Sequence, residues 1–240
     1  MPSSTSRVRD REQQEQADLR RAERRRLALL ALVLVVLLVG GGTGFQLWRT
    51  SRSPVLAPVT ASTLAPVPVQ PGRPILLGQP QAPARLTLYE DFHCSHCADF
   101  EESLGPAIRK SMSSGLLAVE LYPMSFLDQG SRRAANAMAC ATEAGFGPAY
   151  YAGLFANHTL QWSDQQLLEL AGLVSTVVPA AFGGCVQQGA RLSWVDSINA
   201  AAAVDGITAT PTVQLDGRTL DWNGLTPDGL SRLVEEAAVR

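Results

Sequence analysis

The stretch Arg85-Leu86-Thr87-Leu88-Tyr89-Glu90-Asp91-Phe92-His93-Cys94-Ser95-His96-Cys97 decides how the rest of the chain is read. Arg85 to Glu90 alternates apolar with other side chains and is rich in β-formers, which predicts a strand. The period then changes: Phe100, Leu104, Ile108 and Met112 recur at helical spacing, so a helix opens around His93–Cys97. Pro106 is expected to bend or restart it, because proline has no N–H to give and its ring crowds the preceding turn. A cysteine pair therefore sits where a strand runs into a helix. Backbone N–H groups lack partners there and the helix dipole is positive, which favours a thiolate at Cys94. Cys97, one turn on, is close enough to form a small disulfide ring. Cys94 is then the sulfur that attacks or is attacked, and Cys97 resolves the mixed disulfide.

A bare Cys-x-x-Cys also fits half a zinc site or a haem attachment site. Haem attachment needs a His after the second Cys, where this chain has Ala98, and structural zinc needs two further ligands at short spacing. His93 and His96 flank the pair. His96 is placed to hydrogen-bond the Cys94 sulfur or stabilise its charge, whereas His93 reads either as catalytic or as an exposed neighbour. His158 reads as a surface residue. Glu90 and Asp91 are candidates for a buried acid that moves a proton to Cys97, or are simply carboxylates at a helix start. No nucleotide, flavin or haem motif occurs, so no cofactor is expected and no metal is assigned.

Working outward, Leu116–Tyr122 predicts a second strand, stopped by Pro123, which completes a strand, helix, strand unit with a parallel pair. A helical insertion follows over about residues 131–205. It holds an Ala-rich helix through Cys140, a helix capped by Ser163 with Gln166, and helices over Pro179–Gln188 and Arg191–Val204. Thr210-Pro211 then heads a strand, where a proline cannot donate; either a cis bond resolves this and leaves Thr210 free to pair with an extended substrate, or the proline is an ordinary trans residue at a strand edge. Val213–Leu215, the turn Asp216-Gly217 and Thr219–Trp222 predict a hairpin, and Thr226-Pro227 caps a last helix. The fold class is α/β.

On the N-terminal side, Leu27–Trp48 is 22 residues without a charge, long enough at ~1.5 Å per residue for a bilayer core of ~30 Å. Eight Arg against five acids crowd residues 1–26, which places that tail in the cytoplasm and the rest outside. Residues 49–72 belong to a Pro-rich linker, read as a stiff spacer that lets a domain at 73–240 stand clear of the bilayer. Residues 53–240 carry ten basic against seventeen acidic side chains, which excludes the basic stripe a nucleic-acid surface requires.

The Phe92–Cys97 motif after a strand, the helical insertion, and Gly206-Ile207-Thr208-Ala209-Thr210-Pro211-Thr212 before a hairpin and final helix resemble the DsbA-like thioredoxin-fold oxidoreductases. The likeness covers about residues 75–238 and is nearest to membrane-tethered members of high-GC Gram-positive bacteria. It implies a thioredoxin fold with an inserted helical subdomain and disulfide exchange with secreted or membrane proteins that carry cysteines. It further implies reoxidation by a membrane partner of the DsbB or vitamin K epoxide reductase type. Two departures stand out. Ser95 replaces the family's usual proline between the cysteines, and Leu88 occupies the place, six before the nucleophile, where the best-known relative has its acid.

With Cys94 and Cys97 paired, Cys140 and Cys185 remain as partners, either bridged, as expected outside the cytoplasm, or as two buried thiols. The leading reading is an oxidant acting through Cys94, Cys97 and His96, with Thr210 and Pro211 binding substrate. Its rivals are a reductase or isomerase on the same fold, a copper or zinc carrier, and a module whose bridge is inert.

Overall fold

β1 (Ile75–Gly78) pairs antiparallel with β3 (Leu117–Met124), which runs parallel to β2 (Ala84–Asp91). β2 pairs antiparallel with β4 (Thr212–Leu215), and β5 (Arg218–Thr219) closes the edge, giving the order β1-β3-β2-β4-β5. The central strand is buried on both faces, with Ala84, Leu86 and Leu88 on one and Thr87 and Tyr89 on the other, and Glu90 and Asp91 are fully buried at its end. Buried charge at the tip of a core strand is costly unless it is partnered, and those two carboxyls mark the site.

The chain is described here, as a computed structural model, over residues 34–37, 52–55 and 66–240. It divides into two units, at 1–51 and 52–240. Within the first, residues 34–37 are helical with exposed side chains. The expected tail at 1–26 and the rest of the span at 27–48 lie outside the described residues. No helix among the described residues is long and apolar enough to cross a membrane.

α1 (Ser95–Ser113) carries the chain from β2 to β3 and runs on through Pro106, so the helix does not restart there. Gly105 precedes that proline, and without a Cβ it escapes the clash that restricts a residue before proline. β3 likewise extends through Pro123 to Met124. The insertion consists of α2 (Gln129–Glu143), α3 (Gly147–Ala156), α4 (Asp164–Val174), α5 (Ala180–Gln187) and α6 (Leu192–Val204). α7 (Pro227–Ala238) ends the fold, capped by the Thr226 hydroxyl, and α4 starts with the expected Ser163/Gln166 box. The hairpin turn is Asp216-Gly217, both with positive φ, but β5 is only two residues long.

α3 and β1 are absent from the sequence reading, for different reasons. α3 is apolar all round, with Ala149, Tyr150, Tyr151, Leu154 and Phe155 all buried, so it shows no amphipathic stripe. β1 lies between Pro74 and Pro80, where composition suggests a linker, yet Ile75 and Leu77 are 2% and 1% exposed. The linker itself does not stand free where it is described. Val55 N–H donates to Asn157 Oδ1 at 2.7 Å, and Asn157 Nδ2 donates back to the Val55 carbonyl at 2.9 Å. Gln166 Nε2 donates to the Arg52 carbonyl, Val69 N–H to Glu143, and Gly72 N–H to Ser197 Oγ. The second unit thus begins near Arg52, ahead of the expected boundary at 73.

Candidate active site

Cys94 is the N-cap of α1 and is partly exposed, while Cys97, one turn into the helix, is fully buried; both are free thiols. The turn that delivers them is set by Asp91, whose carbonyl accepts from Cys94 N–H at 2.9 Å and whose carboxylate accepts from His93 N–H at 2.9 Å. Helix formation leaves the N–H groups of His96 and Cys97 facing the Cys94 sulfur. The Cys97 thiol donates to that sulfur and is the largest cause of its acidity; burial opposes it, and the Thr210 hydroxyl and the two N–H groups add to it. Together they lower the Cys94 thiol from its ordinary range to about 5. The Thr210 carbonyl, 3.5 Å from the sulfur, is an acceptor that favours the thiol instead, and it is outweighed. Thr210 is bonded to Pro211 by a cis peptide.

Cys97 goes the other way. Burial pushes its thiol well up, and its bond to Cys94 and the charge of Glu90 add to this. Glu90 projects from β2 among Cys97, Tyr151 and Glu101, with its own carboxyl held well above the usual range by burial and by Glu101. The Tyr151 hydroxyl lies against Glu90 Oε2 and 2.9 Å from Glu101 Oε1. One hydroxyl carries one proton, so it can donate to only one carboxylate at a time. The other carboxyl must carry a proton of its own to be bonded, and burial raises Glu101 as well as Glu90. Arg109 reaches Glu101 at 3.4 Å across Gly105, where a Cβ would lie 2.6 Å from Glu101 Oε2. Glu90 shares a strand face with Leu88, two residues earlier, so the acid of this chain stands on the same side of β2, one pleat nearer the cysteines.

The other candidates fall differently. The His96 ring is 75% exposed and lies 3.9 Å from Asp99, so its backbone N–H, not its imidazole, serves the sulfur. His93, expected to be catalytic or exposed, has a buried ring paired with Asp128. His158 is half-buried and lines a cleft with Glu101, Arg109, Ala152 and Phe155. Asp91 does not approach the cysteines through its carboxylate, which binds Ser131 Oγ at 2.6 Å. Cys140 and Cys185 form a disulfide between α2 and α5, with Cα atoms 6.0 Å apart. Among the described residues no group of three or more His, Cys, Asp or Glu is arranged to hold a metal ion. Tyr151 and Glu101 were missed because a single carboxylate in an amphipathic helix and a tyrosine in an apolar one carry no local pattern.

The thioredoxin family model matches residues 70–236. The chain belongs to the thioredoxin family. No curated protein matches it by sequence. Among solved structures, this thioredoxin-family chain is similar to the reduced disulfide bond oxidoreductase DsbG of Mycobacterium tuberculosis, at 25% identity and a TM-score of 0.60 over 71% of this chain and 90% of that one. It is similar to MdbA, a thiol-disulfide oxidoreductase of Actinomyces oris, at 25% identity and a TM-score of 0.57 over 70% and 90% of the two chains. BdbD of Bacillus subtilis, at 20% identity, shares the fold with a TM-score of 0.60 over 76% of this chain and 100% of its own.

Proposed function

We propose that this chain is a membrane-anchored, extracytoplasmic thiol-disulfide oxidoreductase that introduces disulfides into secreted or membrane proteins. One observation carries the reading: Cys94 caps α1 with the Cys97 thiol and two backbone N–H groups directed at its sulfur, which lowers its thiol to about 5, while burial raises that of Cys97. A couple whose reduced form holds a stabilised thiolate gives up its disulfide readily. The sign follows from the ionisation. The stabilisation is complete above the free-thiol range near ~8.5 and is lost as pH falls through the lowered value.

In the oxidising direction a substrate thiolate attacks Cys94 Sγ, the Cys94–Cys97 bond breaks, and Cys97 leaves as a thiolate that takes a proton from Glu90. The substrate's second thiolate then attacks the substrate sulfur of the mixed disulfide, and Cys94 leaves as a thiolate. Two electrons pass to the cysteine pair and one disulfide forms in the substrate. Tyr151 and Glu101 restore the proton to Glu90, and Thr210 docks the extended substrate beside Cys94. Leu27–Trp48 anchors the chain with residues 1–26 in the cytoplasm, and a membrane partner of the DsbB or vitamin K epoxide reductase type reoxidises it.

Equilibration of the full-length protein in detergent with glutathione tests this. The expected potential lies well above the roughly −270 mV of thioredoxin, and thiolate absorbance should titrate near 5. A potential at or below thioredoxin's would make the chain a reductase. Cys94→Ala should abolish both insulin reduction and oxidative refolding.

A further inference from the structure

His93 precedes the nucleophile, yet it does not share the exposure of Ser95 and His96. Its side chain is 8% exposed, and Nδ1 lies 2.7 and 2.8 Å from the two carboxylate oxygens of Asp128. Asp128 is also the N-cap of α2, accepting from Ser131 N–H at 2.9 Å. Gly130 makes the pairing feasible: a Cβ there would lie 2.1 Å from His93 Cε1 and 2.6 Å from the Gln161 carbonyl. Carbon atoms do not approach so closely without displacement, so any larger residue evicts the ring. Asp91 joins the same two segments again, through His93 N–H and Ser131 Oγ, with Leu127 N–H as a further donor toward it.

The segment so fastened is the loop between β3 and α2. Directly ahead of Asp128 it carries Phe126 and Leu127, which are 51% and 50% exposed. Two large apolar side chains held open to water, on a loop tied to the residues just before Cys94, mark a contact surface and not a core. We propose that His93 is a positioning residue that fastens the Phe126–Leu127 loop beside Cys94, where the loop receives apolar side chains flanking a cysteine in an extended polypeptide. His93 exchanges no proton or electron with the substrate; it acts through Asp128. The inference rests on the reading of Cys94 as the nucleophile.

The test compares two substrates of the full-length oxidised protein in detergent: glutathione, and a short cysteine peptide with Phe and Leu next to the thiol. His93→Phe keeps the bulk of the ring without its donor and should lower kcat/KM for the peptide about tenfold, chiefly through KM, with glutathione changed less than about twofold. His93→Asn, which keeps a donor toward Asp128, should recover most of the loss. Phe126→Ser with Leu127→Ser, both at exposed positions, should show the same selective defect without unfolding. Equal losses for both substrates, or no loss for either, would overturn the inference. Should the unaltered protein react with neither substrate, the reading of Cys94 fails first and takes this inference with it.

Discussion

Glu90 and Asp91 are consecutive, carboxylic and fully buried, and they serve opposite ends. Alternation along β2 points them to opposite faces. Glu90 meets Cys97, Tyr151 and Glu101, where no arrangement satisfies both carboxylates without an extra proton. Asp91 meets donors: His93 N–H, Ser131 Oγ and Leu127 N–H. Burial raises the Asp91 carboxyl as well, but its donors pull it back down, and a carboxyl so supplied ties elements together. One placed among other acids holds a proton instead and can release it. Burial of two acids at one strand end thus separates into chemistry on one face and fastening on the other.

The largest effect that would break this contrast is expected at Asp91. Asp91→Ala strands the buried Ser131 hydroxyl and the His93 N–H, and should cost about 2–4 kcal/mol in denaturant unfolding. Among molecules that remain folded, the thiolate titration of Cys94 should be little changed; a large shift with intact stability would put Asp91 on the chemical side. Glu90→Gln should do the reverse. It should slow thiol-disulfide exchange by on the order of 10²-fold, with altered pH dependence, while raising stability at neutral pH. The sign is fixed by the raised carboxyl. Between the ordinary value of ~4.3 and the raised one, the unfolded chain ionises and the folded one does not, so stability declines as pH rises. Glutamine removes that decline, and melting temperatures measured from pH 4 to 8 would reveal it. The smallest effect is expected for Tyr151→Phe, a loss of about threefold to tenfold in the same exchange rate. An unchanged rate would leave Glu90 drawing its proton directly from solvent.

Much of this division was legible in the residues. The change of period at Asp91–Cys94 located the nucleophile, and Ser163 with Gln166 and Thr226-Pro227 announced their helices by side-chain chemistry that acts within four residues. Leu88 at the position where an acid was sought, with Glu90 two residues on, is resolved by the strand period of two. The features that escaped depend on packing across the fold. His96 looked like the tuning imidazole because it lies between the cysteines, but helical geometry turns its ring outward and leaves its amide on the sulfur. His93 read as catalytic or exposed, and only the approach of Gly130, thirty-seven residues later in the chain, makes a pocket for it. The Cys140–Cys185 bridge, which closes a separation of 45 residues and is worth about 4 kcal/mol on the chain-entropy estimate, holds the α2 and α5 helices together.

The seat of Val55 on Asn157 has a practical corollary. Asn157 grips the backbone of that residue in both directions, and Pro54 beside it is buried. A truncated version starting at Arg73 would uncover this amide, along with the Glu143 and Ser197 groups that Val69 and Gly72 occupy. Anyone trimming the chain for expression should therefore cut ahead of Arg52 and treat residues 52–55 and 66–72 as part of the domain's outer wall.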